Sequence, residues 1–354
     1  MNVGLTMHEY QLPLVCPLRL AEIEVSERDG WIIELTGPNG NRGYGEIAPL
    51  PGLSPESELA MLADWDGERV EPHLISPAVS CGLDMAFWNL GDPELIPSRL
   101  RTLPPPRDQL EVSALLIGEV DQMLQQQRAA AREGYPTVKI KLGRLDPAAE
   151  VEMLNTINRY AHAETRFRLD ANRAWTPDDA EAYLGVLSEM NVEYVEEPFA
   201  NPRASLAWSD GTGVPVAFDE SLNEISPAEL AEYPNLRAIV LKPSLLGGLS
   251  RCMEYIDVAR EMETYPVISA MLESGVGTIT LARFAASVCD PDTAPPPDST
   301  RIAGWPTTCW NHAPSSPVAG LPLQSGTGHD TASDWTEHYG RPAVYASSGW
   351  HYCA

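Results

Sequence analysis

Residues 137–170 read TVKIKLGRLDPAAEVEMLNTINRYAHAETRFRLD, and this stretch decides the fold. Residues 137–142 read as a strand, 147–160 open on Pro147 and have helical composition, and 166–169 are extended again. Strand, helix and strand joined by short connections make a βαβ unit, which holds two parallel strands under a crossover helix.

The alternation continues on both sides. Upstream, 112–117 read as a strand and 121–132 as a helix. Downstream come a helix at 177–190, extended segments at 193–195 and 214–218, and a short helix at 227–233. A strand at 237–241, a helix at 249–263, a strand at 266–270 and a helix at 276–288 follow. Seven strands at this spacing predict a closed barrel rather than an open doubly wound sheet. There is no Gly-x-Gly-x-x-Gly after a strand and no Gly-x-x-x-x-Gly-Lys, so nothing supports nucleotide binding.

Residues 1–108 follow another plan. Residues 32–35 read as a strand leaving a turn at Asp29-Gly30, and 43–52 (GYGEIAPLPG) form a loop dense in glycine and proline. Residues 55–65 and 80–90 read as helices, and Pro104-Pro105-Pro106 marks a hinge into the barrel. The expected architecture is α/β: a modified (β/α) barrel over 109–293, with an N-terminal α+β capping domain over 1–108 whose loop caps the barrel mouth.

The 354 residues carry 50 acidic against 24 basic side chains, a net charge of −26, and 44% are hydrophobic. That apolar fraction sustains a packed core and excludes wholesale disorder. The charge repels phosphate backbones and anionic lipid, so neither nucleic acid nor a membrane is an expected partner. No run approaches the ~18 apolar residues of a membrane span, and residues 1–10 lack the order of a leader peptide, so a cytoplasmic protein is expected. Cys16, Cys81, Cys252, Cys289, Cys309 and Cys353 form no Cys-x-x-Cys pair and are too sparse for a disulfide framework. The sequence leaves the oligomeric state open.

The basic residues are chosen unevenly. Of the 24, 21 are arginine, and lysine occurs only at Lys139, Lys141 and Lys242. High genomic G+C or a high-salt interior would each remove lysine from a solvated surface, where arginine replaces it. Arginine cannot give up its proton in a protein, nor does it present a compact point charge. A lysine that persists under such depletion is therefore a candidate proton carrier or placed ammonium. Lys139 and Lys141 share one face of their strand, because side chains repeat every second residue. Two neighbouring cations are expected to depress each other's pKa and poise one as a base.

Three acids follow apolar runs: Asp170 in LDAN, Glu196 in EEP and Asp219 in FDES, separated by 26 and 23 residues. That is about one βα unit each. A single acid at a strand end is most often a helix cap. Three in register on converging strands instead bring hard oxygen donors to one point, the donor set of a Mg²⁺ site. Lys242 ends the next strand, 23 residues after Asp219, and is expected to face the other lysines across the barrel. Lysine, three carboxylates and lysine suit proton abstraction beside a substrate carboxylate.

These phrases resemble the enolase superfamily in its muconate-lactonizing branch, and within it the o-succinylbenzoate synthases. The likeness rests on GYGEIAPLPG at 43–52, Lys139-x-Lys141, RLDANRAW at 168–175, Glu196-Glu197-Pro198, Asp219-Glu220-Ser221 and Lys242-Pro243. It runs from about residue 10 to residue 293. The resemblance implies a Mg²⁺-dependent carbon-oxygen lyase acting on a small carboxylate in menaquinone biosynthesis. The implied reaction dehydrates 2-succinyl-6-hydroxy-2,4-cyclohexadiene-1-carboxylate to 2-succinylbenzoate through an enediolate. It also implies roles: Lys141 as base and then proton donor to the departing hydroxide, with Lys139 tuning it and helping hold the carboxylate. Asp170, Glu196 and Asp219 would bind Mg²⁺, and Lys242 would stabilise the enediolate from the opposite face. Asn172 and Glu220 would support the ligands, and Ser269 would contact the succinyl end. Two other readings stay open: an N-succinylamino acid racemase or dipeptide epimerase of the same superfamily, or a non-enzymatic degenerate barrel.

The resemblance stops after residue 293. Where the family continues Gly-Leu-Asp-Thr, this chain reads Pro297-Asp298-Ser299-Thr300-Arg301. Read from the third base of the Pro297 codon, the codons NGA, YTC, NAC and NCG can spell the family's phrase, with the middle base correct in each. From residue 302 onward only Asp330, Asp334 and Glu337 are acidic, while four of the seven histidines and four of the nine tryptophans fall there. The expectation is an out-of-frame or disordered tail over 294–354 and an eighth strand that is missing or aberrant, leaving two strand edges exposed. His312, His329 and His338 are then not metal ligands. An intact frame in the gene's 3′ sequence from independent clones would refute the shift.

Overall fold

The computed structural model describes residues 3–20, 23–54, 76–107, 110–288 and 301–303. An antiparallel sheet comes first, β1 (Gly4–Leu20), β2 (Ile23–Thr36) and β3 (Arg42–Ile47), paired in that order. Helix α1 (Pro77–Leu90) packs on it, starting where the Ser76 side chain accepts the Val79 N–H and ending at Gly91 with φ 72°. Ile33, Leu35, Ile47, Val79, Ala86 and Leu90 form the core between sheet and helix. Backbone approaches backbone here: a Cβ on Gly45 would stand 1.9 Å from the Gly82 carbonyl oxygen, and one on Gly43 2.1 Å from that of Ala86.

The turn expected at Asp29-Gly30 is absent. Gly30 lies inside β2, paired with Tyr10. Its glycine answers a packing need instead, since a Cβ would meet Tyr10 Oη at 2.5 Å. The strand expected at 32–35 is accordingly the end of a longer one. The helix expected at 55–65 lies outside the described residues.

After the short helix α2 (Ser98–Arg101), residues 103–107 lead into the barrel. Its strands are β4 (Glu111–Val112), β5 (Ala114–Leu116), β6 (Thr137–Lys141), β7 (Arg166–Asp170), β8 (Val192–Glu196), β9 (Val216–Phe218), β10 (Ala238–Leu241), β11 (Tyr265–Ser269) and β12 (Arg301–Ala303). Between them run α3 (Val120–Glu133), α4 (Pro147–Tyr160), α5 (Pro177–Glu189), α6 (Pro202–Thr212), α7 (Pro227–Leu230), α8 (Pro243–Leu246), α9 (Leu249–Glu261) and α10 (Gly275–Val288). The sheet order is β4-β12-β11-β10-β9-β8-β7-β6-β5, with every pair parallel. Only Ser113 separates β4 from β5, so the sheet returns on itself with eight strand positions. Among the described residues no helix is long and apolar enough to cross a membrane.

The eighth strand, expected to be missing or aberrant, is not missing: three residues occupy its place. β12 fills the slot, pairing Ile268 with Ile302 on one side and Ile302 with Val112 on the other. The expectation rested on the broken family phrase and the lost side-chain pattern, whereas this slot is closed by main-chain hydrogen bonds, which extended residues other than proline can supply whatever their side chains. The rest of the tail, 304–354 with its histidines, lies outside the described residues.

Helices α4 to α7 begin with proline in the first turn and a side-chain cap one residue earlier: Asp146, Thr176, Asn201 and Ser226. Such caps satisfy N–H groups that have no partner within the helix. Helix α9 begins at Gly248, which has no side chain to cap with. The N-terminal layer supplies the acceptors instead: Asp84 of α1 takes the Ser250 N–H at 2.7 Å, and Glu46 of β3 takes the Gly277 N–H of α10 at 2.8 Å.

Glu273, in the loop before α10, lies close to Glu46. Burial, and then the Glu46 charge, push its carboxyl up to about 7 from an ordinary 4.5. Below about pH 4.5 the group is protonated folded or unfolded. Between there and about pH 7 the unfolded chain gives up its proton first, so stability falls with rising pH and stays lowered above. The difference is about 3 kcal/mol. Urea unfolding of Glu273→Gln should therefore show a smaller loss of stability from pH 5 to pH 8 than the unmodified protein shows; equal losses would refute this.

Candidate active site

Side chains on alternate residues of each barrel strand point inward and build layers. Lys139, Arg168 and Tyr194 are register partners in one layer, and Lys141, Asp170 and Glu196 in the layer above, at the carboxyl ends of the strands. Asp219 follows β9 directly, and Lys242 follows β10. Strands β6 and β10 stand four positions apart in a ring of eight, so Lys141 and Lys242 face each other across the mouth. The three acids occupy the positions between them. All three are buried, at 0%, 0% and 4% exposure.

Lys139 reaches up from its lower layer. Its Nζ lies 2.7 Å from both Glu196 carboxylate oxygens and 2.8 Å from Asp170 Oδ2. Lys141 Nζ donates to Asp170 Oδ2 at 2.6 Å and to Asn172 Oδ1 at 3.0 Å. Lys242 Nζ donates to Asp219 Oδ2. Asn172 Nδ2 in turn donates to Glu220 Oε1 at 2.9 Å. Lys139, Lys141, Lys242, Asp170, Glu196, Asp219, Asn172 and Glu220 thus form one cluster. Ser269 stands at the end of the next strand, β11, where its Oγ donates to the Ala270 carbonyl at 3.5 Å.

Two expectations need correction. The carboxylates do not converge oxygen to oxygen: among the described residues no three acidic, histidine or cysteine side chains meet at coordination spacing. Ammonium groups stand between them, because unlike charges in a buried site draw together and like charges separate. Nor is Lys139 depressed by its neighbouring cation. Burial disfavours its charge, but Asp170 and Glu196 outweigh burial and hold it well above the ordinary lysine range. Lys242 is raised likewise, with Asp219 outweighing burial. Asp170 is held low against burial by Lys139 and Lys141, while burial and the adjacent Asp170 charge raise Glu196.

Sequence reasoning passed over the groups that hold these side chains in place. Glu197, fully buried, accepts the backbone N–H of Asp219 at 2.8 Å and of Ser221 at 2.7 Å. Arg173 donates to Glu197 at 3.2 Å, to Ser221 Oγ at 3.0 Å and to Glu224 at 2.7 Å, tying three loops together. Asn172, Arg173 and Glu197 all carry positive φ, at 45°, 63° and 43°. Left-handed backbone in non-glycine residues persists only where surroundings enforce it, and it gathers at functional sites. The doubled acid of Glu196-Glu197 was the available signal: alternation sends the second acid out of the barrel, toward the loops. Below the cluster, Arg168 is buried and paired with Glu193 at 2.8 Å.

Three buried carboxylates are hard oxygen donors, and Glu220 Oε2 beside them is buried without a hydrogen-bond partner. That donor set fits a divalent cation that prefers oxygen.

Comparison with known proteins agrees with this geometry. Residues 122–301 match the family described as enolase C-terminal domain-like, and residues 3–90 match the MenC N-terminal domain. The o-succinylbenzoate synthase of Vibrio cholerae serotype O1 (strain M66-2) is 32% identical over 340 residues, covering 90% of this chain and 96% of that protein. The crystal structure of o-succinylbenzoate synthase from Thermosynechococcus elongatus BP-1, complexed with Mg in its active site, superposes with a TM-score of 0.63 at 25% identity, covering 82% of this chain and 95% of that one. The L-Ala-D/L-Glu epimerase from Bacillus subtilis shares the fold, with a TM-score of 0.67 at 21% identity over 86% of this chain and 89% of its own. With a capping layer and a barrel that each match in the same order, the chain belongs to the o-succinylbenzoate synthase family of the enolase superfamily.

Proposed function

We infer that this chain dehydrates 2-succinyl-6-hydroxy-2,4-cyclohexadiene-1-carboxylate to 2-succinylbenzoate. The observation that carries the reading is the pair Lys141 and Lys242 on opposed strands, with three buried carboxylates between them. Asp170, Glu196 and Asp219 would hold Mg²⁺. When bound, the ion supplies positive charge for the substrate carboxylate oxygens as negative charge builds on them.

Lys141, with a quarter of its side chain exposed, is the lysine open to the mouth on the β6 side. Deprotonated, its Nζ removes the proton on the carbon bearing the carboxylate, and the C–H electron pair moves toward that carboxylate. The Lys242 ammonium, on the opposite face, stabilises the developing charge. The ring then expels hydroxide, which takes a proton from the Lys141 ammonium and leaves as water, returning Lys141 to its neutral form. Lys139 stays protonated between Asp170 and Glu196 and offsets part of their charge. The product is aromatic, so the driving force lies in the substrate, and the protein need only stabilise the charged intermediate.

The test is an assay of the purified protein with the cyclohexadiene carboxylate and Mg²⁺ in deuterated water. Mg²⁺-dependent formation of 2-succinylbenzoate supports the reading. Deuterium incorporation at the α-carbon of N-succinylamino acids or dipeptides, without any dehydration, would instead assign a racemase or epimerase.

A further inference from the structure

Glu46, 2% exposed, receives four hydrogen bonds, and every partner is a donor. Tyr10 Oη and the Ser274 N–H (2.7 Å) bond Oε1; Ser274 Oγ (2.6 Å) and the Gly277 N–H (2.8 Å) bond Oε2. Two main-chain N–H groups, one on each oxygen, cannot reverse direction, so both carboxyl oxygens of Glu46 act as acceptors. Three of the four donors belong to the loop after β11 and the first turn of α10. The helix is capped across the junction by a residue of another layer.

The same loop is tied a second time. Arg28 of β2, 3% exposed, donates Nε to the Leu272 carbonyl at 3.1 Å and its other nitrogens to the carbonyls of Pro49 (2.6 Å) and Ala48. One guanidinium therefore joins the glycine- and proline-rich segment to the barrel loop. Leu272 is held at φ 62°, a conformation that needs such enforcement. On its other side the loop begins next to Ser269, and Glu273 accepts from Ser244 Oγ at 3.2 Å, two residues beyond Lys242.

We propose that Glu46 is a positioning residue, through which, together with Arg28, the N-terminal layer sets the loop framing the substrate side of the barrel mouth. Docking of the layer and affinity for substrate are then one event, whereas metal binding, built on β7 to β9, is separate. This rests on the functional reading above.

The test is Glu46→Gln, which turns one acceptor into a donor facing another N–H. KM should rise about 10-fold while kcat stays within about 3-fold and the Mg²⁺ dissociation constant by calorimetry is unchanged. Hydrogen exchange gives a readout that needs no substrate: amides of 271–277 should exchange at least about 10-fold faster, with the ends of β7 to β9 unaltered. If the unmodified protein proves inactive but Glu46→Gln loosens only this loop, the functional reading fails and the coupling stands. Unchanged exchange and KM in an active protein would overturn the coupling, as would joint loss of kcat and Mg²⁺ affinity. Should Glu46→Gln not fold, Ser274→Ala decides. It removes one donor from the barrel side, and a KM rise of about 3-fold supports the proposal, whereas an unaltered KM overturns it.

Discussion

Replacing Lys141 by alanine should lower kcat/KM for dehydration by at least about 10³-fold, because no other amine reaches the same face of the substrate. Lys139 cannot substitute: its Nζ is held between Asp170 and Glu196, with only 5% of its side chain exposed. Mg²⁺ binding should persist in Lys141→Ala, and should tighten, since the ammonium at 2.6 Å from Asp170 Oδ2 competes for that oxygen. Lys242→Ala should cause a loss of similar size from the opposite face. The two losses should not add in the double variant, because both groups act on one intermediate. The measurement is steady-state kinetics with calorimetric Mg²⁺ titration of each variant. Full activity in either single variant would remove the mechanism proposed for this site.

Gly45→Ala should destabilise the protein by at least about 3 kcal/mol, a large effect for the addition of one methyl group. The new Cβ would lie 1.9 Å from the Gly82 carbonyl oxygen and 2.8 Å from the Ala86 N, both main-chain atoms of α1. A flexible side chain could swing away from the intruder, but a helix backbone cannot without lifting off the sheet. Lifting it would also displace the neighbouring Glu46 from the α10 N-terminus, so KM should rise along with the loss of stability. Urea unfolding of the variant checks the first effect and kinetics the second. A midpoint equal to that of the unmodified protein would show that the close packing of sheet and helix is not needed.

The barrel was legible because each of its units repeats one physical pattern. Helices such as 147–160 open on a capped proline, and strands such as 137–141 alternate between two faces, which are local properties. The cluster was legible for the same reason: acids spaced one βα unit apart come to the same end of the barrel if the strands close into a ring, although their oxygens do not meet. What stayed hidden was non-local. Gly30 suggested a turn by its type, yet it sits mid-strand to make room for Tyr10, twenty residues away in sequence. Strand β1 was not read from the sequence, although Leu5 and Met7 alternate with polar or small residues and pack on the core of the N-terminal layer. The eighth strand was expected to be missing or aberrant because the family phrase breaks off after residue 293, yet residues 301–303 pair through their main chain.

The sequence by itself determined the order of the barrel elements, from local periodicity, and six of the residues that gather at the barrel mouth, from lysine usage and spacing along the chain, while the resemblance of its motifs pointed to the family and to Asn172 and Glu220. Only the tertiary structure decided how those charges are arranged, with ammonium groups between the carboxylates rather than beside one another, and that Glu197, Arg173, Glu46 and Arg28 hold the loops around them. The reason is physical: buried charges settle by Coulomb energy and hydrogen-bond satisfaction among neighbours brought together by folding, and those neighbours lie up to 244 residues apart in the chain.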